Sequence, residues 1–356
     1  MVKLTVHSCM TILKSPYPYF GGKLPIAAEI WRRFGDVDNY VEPFFGSLAV
    51  LLARPKYHGQ TETVNEKNGY LVNFWRAIAD APDEVAKWAD YPNSEWDLTA
   101  RHMWLVGEGR ERIKKCEADP FYYDAQAAGW WVWGAALWIG SGWCTGNGPW
   151  IVDKKTGVLM KKEGEGQGVK RQIINLSNPG EGINRKRIHL GRKKGINRKQ
   201  NTDLATGEGI LPVNEGLFDY FRQLSRRVRR VSIVNGDWSR VITHGALAHG
   251  DKVGVFLDPP YSLEMRSDGL YAHDHKDLPG DVRAWCIKNG GNKRYRIALC
   301  GLEGEHNELE SLGWIKWVWK AHGAYQSHNA DGRNQENRRL ERVWFSPACI
   351  NQPQMW

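Results

Sequence analysis

The densest cluster of chemically useful side chains is Asp258-Pro259-Pro260-Tyr261, directly after the apolar run VGVFL. Proline fixes φ and donates no backbone hydrogen bond. The first peptide carbonyl of this stiff turn, that of Pro259, therefore stays exposed as an acceptor beside the Asp258 carboxylate. Two acceptors at one point suit an amino group, which offers two N–H donors, and the Tyr261 ring beside them can stack on a planar base. The bland alternative is a strand-end turn of chance composition, and the strand that precedes it makes that the weaker reading.

Three further clusters lie upstream. Glu42-Pro43-Phe44-Phe45-Gly46-Ser47 places a glycine turn where a ligand can approach the backbone and lie against a helix N-terminus. Glu66 follows about 20 positions on, where nucleotide-binding α/β folds hold ribose hydroxyls. Tyr19-Phe20-Gly21-Gly22-Lys23 brings backbone close to something and adds a cation. Taken singly, each has an ordinary reading: a strand–helix turn, a helix cap or surface glutamate, and a tight turn before the helix 25–34.

These clusters need elements to hold them. Asn39–Glu42 (NYVE) reads as a strand, Leu48–Ala53 as a helix, Thr61–Glu66 (TETVNE) as a second strand and Tyr70–Ile78 as the next helix. This alternation opens a parallel α/β sheet. The texture resumes after residue 230, with strands at Val231–Val234, Val253–Leu257 and Arg296–Cys300, a helix at Asp281–Lys288, and Ile315–Trp319 and Leu340–Phe345 as a closing pair. The unbroken apolar run before Asp258 fits a strand covered on both faces. In an open sheet of this kind, ligands bind at the carboxyl ends of the strands, where these clusters fall.

The middle of the chain differs. From Ala125 to Val152 there is no charged residue, but the densely apolar part, about 127–139, is shorter than the roughly 20 residues a bilayer span needs. It reads as a buried helix running into a glycine-rich loop, its tryptophans (Trp130, Trp131, Trp133, Trp138) more core than base-stacking surface. Between 151 and 200 there are 14 Lys+Arg against 4 Asp+Glu, a local net charge of 14 − 4 = +10, where the whole chain carries +9. Within this tract GINRK occurs twice, at 182–186 and 195–199. A solvated loop is the plain reading of a charge run; the density favours contact with nucleic-acid phosphates through Arg185, Lys186, Arg192, Lys193, Lys194, Arg198 and Lys199.

Six cysteines, none in a CxxC pair, suit reduced thiols in a cytoplasmic protein, bacterial or in a phage-infected host, and the first residues lack a signal-peptide apolar core. His273 and His275 flank Asp274 with no third ligand near in sequence, so a metal is not expected.

Together the four clusters resemble the Dam-like, DPPY-type DNA N6-adenine methyltransferases, in which an FxGGK segment, an EPFxG turn, an acidic strand end, an inserted target-recognition region and DPPY follow in this order. Asp274–Leu278 resembles the start of the helix after the catalytic loop, and Leu340–Val343 the Glu-bearing final strand. The family often has a further glycine two places after the EPFxG glycine; here that position is Leu48, which would narrow the turn. The resemblance implies an α/β fold, a Rossmann-like S-adenosylmethionine-dependent methyltransferase sheet with an inserted region, divided as 1–95 and 231–356 around the insert 96–230. It implies S-adenosylmethionine as cofactor, walled by Tyr19, Phe20, Gly21, Gly22 and Lys23. Glu42, Pro43, Phe44 and Gly46 would meet its methionine end, Glu66 its ribose and Asp237 its adenine, with Asp258 between cofactor and base. Double-stranded DNA would be the partner, with the target adenine flipped out against Tyr261. The same amine chemistry serves cytosine N4 or RNA. A non-catalytic DNA-binding protein on the same scaffold is the reading from another class, against which the intact Asp258, Tyr261 and EPFFG stand. The target sequence, the oligomeric state and the setting, whether restriction-modification, phage genome protection or regulation, are not written in these residues.

Overall fold

The computed structural model describes residues 13–19, 21–119, 121–138, 143–144, 150–152, 159–161, 215–260, 278–319 and 340–351. Seven strands form one sheet: β1 (Asn39–Glu42), β2 (Thr61–Glu66), β5 (Ser232–Asn235), β6 (Val253–Leu257), β7 (Tyr295–Leu302), β8 (Ile315–Val318) and β9 (Glu341–Phe345). Their order is β5-β2-β1-β6-β7-β9-β8; the first five run parallel, and β9 is antiparallel to both β7 and β8. The chain builds outward from β1 to β2 and β5, then returns to lay β6 on the other side of β1. Strand order thus reverses between β1 and β6, the position at which open α/β sheets open a crevice for ligands. A separate ribbon pairs β3 (Trp150–Val152) with β4 (Leu159–Lys161).

Helices cover both faces, which is why β1 and β6 are buried along their whole length. Alternate residues serve the two faces. Tyr40, Phe256, Ala298 and Cys300 join one apolar cluster, and Val41, Val255, Leu257, Ile297 and Leu299 the other. On the first face lie α1 (Ala27–Phe34), α3 (Gly69–Asp80), α4 (Pro82–Ala89), α7 (Ala125–Leu137) and α8 (Glu215–Val228); α9 (Leu278–Asn289) covers the second. The short α2 (Ala49–Leu52) follows the turn after β1, and α5 (Glu95–Trp104) and α6 (Arg110–Ala118) lie between α4 and α7. Among the described residues no helix is long and apolar enough to cross a membrane.

The apolar segment of the middle region is α7, capped by Asp124, whose carboxylate accepts from the Ala127 N–H at 2.8 Å. Nine of its residues are buried, Trp131 and Trp133 among them, as an all-apolar helix requires. Helix α8 buries Leu217, Tyr220, Phe221, Leu224 and Val228, one face of an amphipathic helix. Helices α7 and α8 both lie within 96–230, and both pack against α3 and α4 in the same apolar cluster as the sheet.

A buried ionic group fastens α8 to the sheet. Glu62 of β2 accepts from Arg54 Nη1 at 3.0 Å and from Arg227 Nη1 at 2.6 Å and Nη2 at 2.8 Å. Arg227 also donates to the Leu51 carbonyl and lies over the Tyr57 ring at 4.0 Å. Removing one partner of a buried ion pair strands the other charge, at about 3–5 kcal/mol. Arg227→Ala is expected near the lower end, about 3 kcal/mol, because Arg54 still pairs with Glu62. Arg222→Ala on the same helix breaks an exposed pair with Asp83 and should cost under about 1 kcal/mol. Urea unfolding of the two variants compares them directly, and equal losses would contradict the assignment.

Candidate functional site

The turn after β1 is built around two left-handed residues. Gly46 has φ +45°, and a Cβ there would stand 2.5 Å from Tyr19 Cε1, so only glycine fits. Leu48 has φ +58°, a conformation that is strained for a leucine, at the position where the resembled family often carries glycine. Its side chain is fully buried in the core and does not line the cleft.

Glu66, at the end of β2, holds this turn against the next helix. Its Oε2 accepts from the Gly46 N–H at 3.1 Å, and its Oε1 from the Lys67 and Asn68 N–H groups at 2.9 and 3.0 Å. With two lone pairs per oxygen, Oε2 has room for one further donor, such as a hydroxyl. The Gly22 N–H donates to the Tyr19 carbonyl at 3.2 Å and closes the turn that presents Gly21, at φ +72°, and Lys23.

The three turns and the end of β6 enclose an open cleft. It brings together Tyr19, Gly21, Gly22, Lys23, Glu42, Phe44, Gly46, Glu66, Asp258 and Pro260 from the expected set. Phe45, Ser47, Ala49, Val50 and Phe256 complete the lining. Phe45 and Ser47 lie inside the EPFFGS motif, and Phe256 could be placed by the period-two alternation of β6. Pro43 and Pro259 are buried beside the cleft without lining it, and the Pro43 carbonyl accepts from Asn65 Nδ2 at 3.0 Å. Asp237 is exposed and caps the turn after β5, its Oδ1 accepting from the Ser239 N–H at 3.0 Å. Its neighbour Trp238 stacks on Phe44 at 5.9 Å between ring centres, a contact the motif reading missed. Phe20, Tyr261, His273, Asp274, His275 and the seven basic residues from Arg185 to Lys199 lie outside the described residues.

Three carboxyl groups and one ammonium set the electrostatics. Lys23 Nζ lies 3.0 Å from Asp258 Oδ1 and donates to the Gly21 carbonyl at 2.8 Å. Burial holds the Asp258 carboxyl above the usual carboxylate range; the Lys23 ammonium and a hydrogen bond from the Cys300 thiol pull the other way. Cys300 reaches Asp258 because β6 pairs with β7 in the register Leu257↔Leu299, which sets the next residues side by side. Burial also raises Glu42 well above the usual range, further disfavoured as an anion by Asp258 and Glu62, while the Tyr40 hydroxyl donates to its Oε2 at 2.9 Å. Glu66 is raised by burial against its three backbone donors. Among the described residues no group of three His, Cys, Asp or Glu side chains could hold a metal ion.

The strain at Leu48 is testable by itself. Leu48→Ala keeps the left-handed backbone and loses the buried side chain, whereas Leu48→Gly loses the side chain and relieves the backbone. Both should destabilise by about 2–4 kcal/mol, with glycine about 1 kcal/mol better than alanine, the reverse of the usual order. Thermal unfolding of the pair decides it; an alanine variant at least as stable as the glycine one would refute the strain.

Residues 19–99, which span the Tyr19–Lys23 turn, β1 with its glycine turn and β2 with Glu66, match the family described as D12 class N6 adenine-specific DNA methyltransferase. No curated protein matches the chain. Joined to the mixed α/β architecture of the seven-stranded sheet, that match supports adenine-N6 DNA methylation as the activity, and the matched family implies S-adenosylmethionine as methyl donor.

Proposed function

We propose that the cleft at the β1–β6 reversal binds S-adenosylmethionine and that Asp258 receives the amino group of a flipped-out adenine beside it. The observation that carries this reading is the placement of a half-buried carboxylate, braced by Lys23, in the same cleft as the Gly46 turn. The donor set fits the cofactor. Three carboxyls suit its ammonium, sulfonium and ribose hydroxyls, Lys23 suits its carboxylate, and the glycine backbones of both turns leave room for close approach. When bound, the cofactor supplies an electrophilic methyl group. Gly21, Gly22 and Lys23 would wall it, with Tyr19 and Phe20 beside them. Pro43, Phe44, Gly46 and Glu42 would meet the methionine end and Glu66 the ribose, and Asp237 next to Trp238 is the proposed adenine contact.

The N6 amine of adenine is a weak nucleophile, because its lone pair is delocalised into the ring. Asp258 and the Pro259 carbonyl would accept its two N–H groups and so turn the nitrogen lone pair out of conjugation and hold it in line for methyl transfer. The contribution is positioning and preorganised electrostatics. Tyr261 would stack on the extruded base, and the basic tract around the two GINRK repeats would hold the phosphates of duplex DNA. That tract, within 96–230, is proposed as the target-reading part, with 1–95 and 231–356 as the catalytic part. The free cysteines among the described residues suit the cytoplasm.

Incubation with S-adenosylmethionine and unmethylated DNA, followed by nucleoside mass spectrometry, should yield N6-methyldeoxyadenosine with the native enzyme. Asp258→Ala should yield none while still binding the cofactor; native turnover in that variant would refute the role of Asp258, and N4-methyldeoxycytidine as product would replace the substrate. The Lys23 cation lowers the Asp258 pKa, and transfer needs the carboxylate as an acceptor, so activity falls as pH drops through that pKa. Lys23→Met should therefore move the acidic limb of kcat to higher pH. A limb that stays in place or moves to lower pH would separate Lys23 from Asp258 in function.

A further inference from the structure

Gly46 is held at both of its polar atoms. Its N–H goes to Glu66, and its carbonyl accepts the Tyr17 hydroxyl at 2.9 Å. The same hydroxyl accepts the Trp75 indole N–H at 2.9 Å, so Tyr17 relays between α3 and the turn. The ring is only 2% exposed and is packed by Trp131 of α7 at 4.9 Å and by Phe74 of α3 at 5.5 Å, both edge-on. Burial pushes its phenol far above the ordinary tyrosine range, which keeps the hydroxyl a donor at every working pH. In a left-handed turn the carbonyl lies outside any strand or helix ladder, so its direction depends on the partner it finds.

We propose that Tyr17 is a positioning residue for methyl-donor binding: its hydroxyl fixes the Gly46 carbonyl and with it the Gly46–Ser47 peptide that walls the cleft. Trp75 aims the hydroxyl, and Trp131 holds the ring from the helix that leads toward the basic tract. The turn is thereby set by a residue outside all four motifs. This rests on the reading of the cleft as the S-adenosylmethionine site.

Tyr17→Phe removes one oxygen and keeps the ring contacts. Calorimetric titration with S-adenosylmethionine should show Kd raised roughly tenfold, the equivalent of about 1.4 kcal/mol. The KM for the cofactor should rise in step, with kcat at saturation within about twofold, because the chemistry at Asp258 is untouched. Tyr220→Phe is the comparison for a merely structural loss. Its hydroxyl is likewise mostly buried and bonds the backbone of Lys14, away from the cleft, so its Kd should not move. A folded Tyr17→Phe with unchanged Kd overturns the proposal, as does an equal rise in Tyr220→Phe. Should Tyr17→Phe fail to fold, Trp75→Phe is judged by the same measurement and should raise Kd by a smaller factor; no rise overturns the proposal. Gly46→Val separates the two levels: native cofactor binding there rejects the cleft itself, whereas lost binding there beside an unchanged Tyr17→Phe rejects only the role of Tyr17.

Discussion

The pairing of β1 with β6, Asn39 beside Val253, is the contact on which the site depends. Each strand carries half of the chemistry at its carboxyl end, a glycine turn on one and an aspartate with two prolines on the other. Neither half is a site until the chain returns across the sheet and sets them side by side. Parallel neighbours cannot be joined by a tight turn, so a long connection between them is obligatory. Here that connection contains the whole middle region.

Burial is the second constraint. Glu42, Glu66 and Asp258 sit where charge is disfavoured, and each is compensated by a different device: a phenol hydroxyl, backbone N–H groups, and an ammonium with a thiol. Carboxyls so arranged keep their acceptor atoms in fixed directions, and Asp258 adds to the burial that disfavours charge on Glu42.

Much of this was legible in the residues themselves. Asn39–Glu42, Thr61–Glu66 and Val253–Leu257 form strands with the bounds expected of them, and Val253–Leu257, buried at every position, leaves the unbroken apolar trace of a strand covered on both faces. The motif residues converge because their chemistry sits at strand ends, and strand ends of a parallel sheet share one side. Local shifts escaped notice for local reasons. The helix expected from Leu48 starts one residue later, since Leu48 itself is left-handed, and no periodicity marks that conformation. Asp237 reads as a ligand contact from its place after a strand, but its carboxylate is partly engaged in capping the turn that follows. Non-local contacts left no trace at all. Nothing around Tyr17, Cys300 or Arg227 signals that they meet Gly46, Asp258 and Glu62, because such meetings depend on the assembled fold.

The anchoring of the middle region has a consequence for how such a chain can vary. It leaves the layer over the sheet through α7, where Trp131 packs on Phe74 of α3 and Trp130 on Trp88 of α4, and returns through α8, locked by Arg227 on Glu62. Between two fixed posts, the entropy of closing a chain excursion grows only with the logarithm of its length, about 0.6 kcal/mol for each doubling. A change in the length of chain between these posts would therefore cost the packed layer little.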